Sequence, residues 1–297
     1  MGHHHHHHVD SSTGKIKTAF FLNLAFTIIE IIGGLLTNSM AILSDALHDL
    51  GDSLSLGIAW FLQRFSNKEH SENFSFGYRR FSLLAALINS VVLIVGSIFI
   101  LTEAIPRLLN PVQPNTTGMI ALAILGVLVN GAAVVRLRGG DSMNQKVMTW
   151  HLLEDVLGWV AVLIVSIIMA FTDLPFLDPL ASIGITLFIL YNVVKNFIKT
   201  MKLFLEAVPD GMDLNEIIEK MGAIEDIRST HHTHLWSMDG EHHAFSTHVV
   251  VPEDASKQQI CQVKDQIKEI LDSMQLDHVT IEVEYEDHPC AITAHEH

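Results

Sequence analysis

His48 and Asp52 stand four residues apart in SDALHDLGDSLS, and His151 and Asp155 stand four apart in WHLLEDVLGWV. On a helix, a spacing of four places two side chains on one face, one turn apart. Asp45, three before His48, shares that face, whereas Asp49 is rotated by about 100° from His48. Glu154 is likewise rotated away from Asp155. Brought together, the two pairs offer two imidazole nitrogens and two carboxylates. That is a four-ligand set suited to tetrahedral Zn²⁺, and its two carboxylates neutralise a divalent charge. Such ligands shed protons to bind metal and regain them when it leaves, so occupancy is linked to pH.

Both pairs interrupt strongly apolar sequence. A charged side chain at the centre of a bilayer costs roughly 3 kcal/mol on insertion scales. The plainer reading makes each pair a polar packing device, hydrogen-bonded between helices. Two helices carrying the same burden at the same spacing favour one shared site instead.

The elements that must position these residues are apolar runs near membrane-spanning length. Six are expected, at about 17–36, 39–62, 81–105, 117–137, 147–171 and 178–200, separated by polar, turn-rich loops. The 297 residues are 49% hydrophobic and only 17% charged, against about a quarter charged in a soluble domain. A soluble helical bundle would have to bury all of these runs, which disfavours it. Lys15, Lys17, Arg64, Lys68, Arg79, Arg80, Arg136, Arg138, Lys146, Lys195, Lys199 and Lys202 fall on alternate sides of the runs that put them on one face of the membrane, with Arg107 opposite. By the bias of basic residues toward the cytoplasm, both termini should be cytoplasmic, as an even number of spans also requires.

The opening MGHHHHHHVDSSTG (1–14) reads as an expression tag and is set aside. The spans occupy 15–204, a compact domain 205–291, and a short tail 292–297. Of the 33 acidic residues, 20 lie from Glu206 onward. An acidic domain argues against nucleic acid and is compatible with cations. Its expected order is a helix at 214–224, strands at 227–238 and 243–251, an amphipathic helix at 256–274 and a strand at 278–286. That is a small α+β layer, helices on one face of a sheet. Cys261 and Cys290 make no disulfide framework.

These stretches resemble the cation diffusion facilitators, membrane metal–proton antiporters. The resemblance lies in NSMAILSDALHDLGDSLS, HLLEDVLGWVAVL, FSFGYRRFSLLAALIN and LFLEAVPDGMDLNEI. It implies a six-span helix bundle followed by a ferredoxin-like cytoplasmic domain, a homodimer in the inner or plasma membrane, and a transport site at His48, Asp52, His151 and Asp155. A two-His, two-Asp set resembles zinc-selective members; manganese-type members carry Asn or Asp in place of the histidines. The resemblance also implies a cytoplasmic zinc site on His231, His248, Glu282 and Glu284, with Cys261 near a further ligand on the long helix. Glu282 and Glu284 alternate to one face, so both should reach one ion; His232 and His234 should share the face opposite His231. His242 and His243 fall in the hairpin turn. Some members bind a second metal in the loop after span two. Phe74 and Tyr78 stand at those positions, and no site is carried onto the nearby Glu69, His70 and Glu72.

The expectation is therefore a divalent metal efflux transporter, Zn²⁺ against protons by alternating access. Zn²⁺ is its substrate and a regulatory ligand, and no organic cofactor is expected. His48 and His151 would carry protons, because imidazole titrates near neutral pH. Asp52 and Asp155 would supply charge, and Asp45 would lie on the ion's path. The alternatives are antiport of Cd, Co, Ni or Fe, or a membrane-anchored metal sensor that moves nothing. No nucleophile motif, phosphate loop or cofactor fingerprint points to an enzyme.

Overall fold

The computed structural model describes residues 9–66, 74–137, 143–272, 274, 276–287 and 290. Its elements are α1 (Val9–Thr37), α2 (Met40–Ser66), α3 (Arg80–Leu109), α4 (Thr116–Leu137), α5 (Met143–Phe171), α6 (Leu177–Phe204), α7 (Leu214–Gly222), β1 (Ser229–Ser237), β2 (His243–Val251), α8 (Lys257–Asp272) and β3 (Leu276–Tyr285). They fall into two compact units, one within Met1–Lys68 and Ala85–Phe197, the other within Glu69–Leu84 and Ile198–His297.

Among the described residues, five helices are long and apolar enough to cross a membrane: the main parts of α1, α3, α4, α5 and α6. The chain is an integral, multi-pass membrane protein. The expected sixth run, α2, is a helix of 27 residues. Asp45, Asp49 and Asp52 keep it from the composition of its neighbours. Its polar residues are met by other helices. Asn23 of α1 donates through Nδ2 to the Asp49 carbonyl and to Ser53 Oγ, each at 3.0 Å, and the Thr27 and Ser53 hydroxyls lie 3.3 Å apart.

The start of α2 is fixed from a distant part of the chain. After Asn38, whose φ of 55° places it in the left-handed region that asparagine tolerates, the first amides of α2 lack helical partners. Asp178 of α6 supplies acceptors, taking hydrogen bonds from Ser39 Oγ at 2.6 Å, Met40 N at 2.7 Å and Ala41 N at 3.3 Å. One turn on, Ser44 and Ser182 share a hydrogen bond of 2.6 Å. Helices α1 and α2 pack along one another, as do α4 and α5, whereas α2 and α5 meet over few residues. Trp159 of α5 is almost fully buried and lies against Gly126 of α4, where a Cβ would collide with its indole ring.

In the second unit, Asp213 caps α7 by accepting from the amides of Asn215 and Glu216. The sheet order is β1-β2-β3, with β1 and β2 antiparallel and β2 and β3 parallel. The parallel pair is joined through α8, as a parallel connection requires. Ile217 and Met221 of α7 and Val263, Ile267 and Leu271 of α8 form one core with Phe245, Val249 and Val251 of β2. Both helices therefore cover one face of the sheet, and alternation sends His248 to the other. The element order agrees with the expected helix–strand–strand–helix–strand; the observed sheet has three strands.

Candidate metal centres

The first centre forms where α2 meets α5. His48 Nε2 stands 3.7 Å from Asp52 Oδ2 on its own helix and 3.6 Å from Asp155 Oδ1 on α5. Ligands about 2.0–2.1 Å from a tetrahedral zinc ion lie about 3.3 Å from one another. The observed separations are slightly wider than that and longer than a hydrogen bond, so an ion fits between the groups with little movement. Asp155 Oδ1 is buried and has no hydrogen-bond partner. His151 lies on α5 one turn before Asp155, but its side chain is outside the described residues. The structure thus brings together three of the four residues expected at this site.

Asp45 is buried against α5, its Oδ1 only 3.4 Å from where a Cβ on Gly158 would sit, and its Oδ2 has no hydrogen-bond partner. Sequence reasoning missed Glu30 of α1. Its side chain is 1% exposed, and neither carboxylate oxygen has a hydrogen-bond partner. The charges nearest in effect are Asp49, Asp45 and Asp155. A signal was available: Asn23, Thr27 and Glu30 recur at helical spacing as a polar stripe in an otherwise apolar run.

The second centre lies on the helix-free face of the sheet. His231 pairs with His248 across β1 and β2, and His248 with Glu282 across β2 and β3. Glu284 joins them: its Oε1 is 2.7 Å from His248 Nδ1 and its Oε2 is 3.2 Å from His231 Nε2. Partial burial works against ionisation of Glu284, but His248, the Cys290 thiol and His231 outweigh it and hold the carboxyl below its usual range. Cys290, not foreseen in the sequence, places its Sγ 3.8 Å from His248 Nδ1.

Four expectations are corrected here. His232 and His234 do not share a face opposite His231. The register slips between His231 and His234, so β1 carries one extra residue, which resets the alternation. His232 takes φ 47°, and its ring centroid comes within 5.2 Å of both His231 and His248. His234 pairs with Ser246 on the same face as His231. Glu282 and Glu284 approach opposite edges of His248, Glu282 lying 3.4 Å from Nε2. His243 opens β2 rather than lying in the turn. Cys261 is exposed on α8, a helix that packs against the other face of the sheet. Glu69, His70 and Glu72 lie outside the described residues.

The comparison with known families now bears on both centres. Residues 16–205 match the cation efflux transmembrane domain, and residues 209–286 match the cation efflux protein cytoplasmic domain. This chain belongs to the cation diffusion facilitator family. Members of that family are transporters, not enzymes. The facilitator is 36% identical over 97% of its length to a Bacillus subtilis protein named cadmium, cobalt and zinc/H(+)-K(+) antiporter, covering 93% of that protein. It is 33% identical over 91% of its length to the metal cation efflux system protein CzcD of Cupriavidus metallidurans, covering 86% of it. It is 32% identical over 95% of its length to the zinc transporter ZitB of Escherichia coli, covering 90% of it.

Proposed function

We propose that this facilitator exports Zn²⁺ from the cytoplasm in exchange for protons. The observation that carries the reading is the approach of His48 to both Asp52 and Asp155, two helices each contributing ionisable groups inside an apolar bundle. His151 completes a tetrahedral His₂Asp₂ set. Helix α2 is the sixth span, its aspartates tolerated because they face the ion and neighbouring helices rather than lipid. Both termini face the cytoplasm, and the protein works as a homodimer in the inner or plasma membrane.

The pairing of α1 with α2 and of α4 with α5, joined at the site by few contacts, suits alternating access. One pair tilts against the other and turns the site from one side to the other. Protons arriving on His48 and His151 displace the ion and reset the site. In the tail, which we read as a ferredoxin-like domain, zinc on His231, His248 and Glu284 draws the sheet residues together and favours the dimer. The relatives' names support a second reading, in which Cd²⁺ and Co²⁺ share the path, because nitrogen–oxygen sites bind several of these metals.

Zinc uptake into proteoliposomes under an imposed pH gradient tests the proposal. Flux should follow the gradient in potassium-free buffer and vanish in Asp52→Ala/Asp155→Ala. Binding of zinc without gradient-driven flux would instead make the protein a sensor.

A further inference from the structure

We propose that Cys290 is a metal ligand. With His231, His248 and Glu284 it builds a thiolate-containing site for soft divalent ions, Cd²⁺ and Zn²⁺, while Glu282 serves as a positioning residue. The proposal rests on the reading that the tail domain holds metal, and it changes which atoms hold it.

The geometry separates the two edges of the His248 ring. One ligand atom each from His231, His248, Glu284 and Cys290 lies within 4.8 Å of every other. Around a tetrahedral zinc ion, nitrogen and oxygen ligands sit about 3.3 Å apart and a sulfur about 3.5 Å from a nitrogen. The observed separations are 3.2 Å from His231 to Glu284 and 3.8 Å from Cys290 Sγ to His248 Nδ1. His248 Nδ1 and Glu284, at 2.7 Å, need move apart by only about half an ångström to reach ligand spacing. His231 Nε2 is buried and has no hydrogen-bond partner, the state expected of a nitrogen directed at an ion site.

Glu282 cannot join this set, because it lies at the Nε2 edge of His248, and its side chain is 61% exposed. A carboxylate on the far nitrogen of a ligating imidazole takes the ring proton, fixes the tautomer and leaves the other nitrogen free for metal. Glu282 stands where that role requires. The register slip in β1 serves the same site. It keeps His231 opposite His248 and forces His232 into a left-handed backbone, a conformation that costs a non-glycine residue energy and persists where surroundings hold it.

A thiolate in the set makes the site softer than an all-nitrogen-and-oxygen one and shifts its preference toward Cd²⁺ and Zn²⁺. The test uses the full chain without its His3–His8 run, which would itself bind metal, on the Asp52→Ala/Asp155→Ala background. Titration with Cd²⁺ should produce the ultraviolet thiolate-to-cadmium band. Cys290→Ser should abolish the band and weaken Cd²⁺ binding at least tenfold, whereas Cys261→Ser should leave both intact. Glu282→Gln should weaken binding but keep the band. Cd²⁺ binding that needs His231 and Glu284 but shows no thiolate band would overturn the role of Cys290 and leave the tail site standing. A protein that binds no Cd²⁺ on this background would overturn both.

Discussion

His48 on α2 and Asp155 on α5 face each other at 3.6 Å, although they stand 107 positions apart in the chain and their helices touch only briefly elsewhere. Under the proposed function, their approach makes the metal's chemistry depend on two helices at once. Replacing the imidazole by a carboxylate, His48→Asp, should make the site oxygen-rich and favour harder ions. The ratio of Mn²⁺ to Zn²⁺ flux in proteoliposomes should rise at least tenfold. An unchanged ratio would mean His48 does not set selectivity.

Gly126 lets the Trp159 indole lie against the backbone of α4, one turn beyond Asp155 on α5. Gly126→Ala should force the ring out, at a cost of about 1–3 kcal/mol for an overpacked core. Asp155 should move with its helix. Thermal unfolding in detergent should come several degrees earlier and zinc flux should drop. A wild-type melting curve would refute the packing argument.

Glu30 is buried without a hydrogen-bond partner, an arrangement that costs stability. Glu30→Met, similar in volume and apolar, should therefore raise the melting temperature while slowing zinc flux. A variant with wild-type flux would show that the acid has no part in transport.

Asp239, in the turn between β1 and β2, accepts from the amides of Glu241 at 3.0 Å and His242 at 2.8 Å and lies 2.7 Å from His242 Nδ1. Partial burial pulls its pKa up, but these donors prevail and hold it below the ordinary value. A lowered carboxylate pKa stabilises the fold above the unfolded value, near 3.9, and the contribution is lost as pH falls through the lower folded value. Asp239→Asn should cost about 1 kcal/mol at neutral pH, solvent limiting the effect. The deficit should shrink below about pH 4. Hydrogen-exchange protection across β1 and β2, corrected for intrinsic rates, measures it.

The helices were legible because each apolar run carries a whole element, and the approach of His48 to Asp52 and Asp155 because i,i+4 spacing survives translation into a helix. The tail was legible in its order of elements but less so in its faces. Alternation failed at His232, where one extra residue in β1 changed the parity and no feature of a histidine announces a positive φ. Cys290 carried no spacing signal; it lies beyond β3, far along the chain from His231, and only the folded sheet brings them together. Glu30 was visible as part of a stripe with Asn23 and Thr27, but one acid in an apolar run, unlike a repeated pair, draws no comparison with a second helix.

The composition of α2 has a consequence for how the protein enters the bilayer. Three aspartates leave the isolated segment poorly suited to partition from the translocon, yet Asn23 and Ser53 already link it to α1, made just before it. On the six-span reading proposed above, the hairpin is the smallest unit to be released into lipid, and α2 is not locked at its start until Asp178 arrives with α6. In a glycosylation-mapping assay, α2 alone should insert inefficiently, α1 with α2 much better, and Asn23→Leu should reduce the gain. The residues proposed to make the ion's path would thereby also set the order in which the nascent chain becomes a membrane protein.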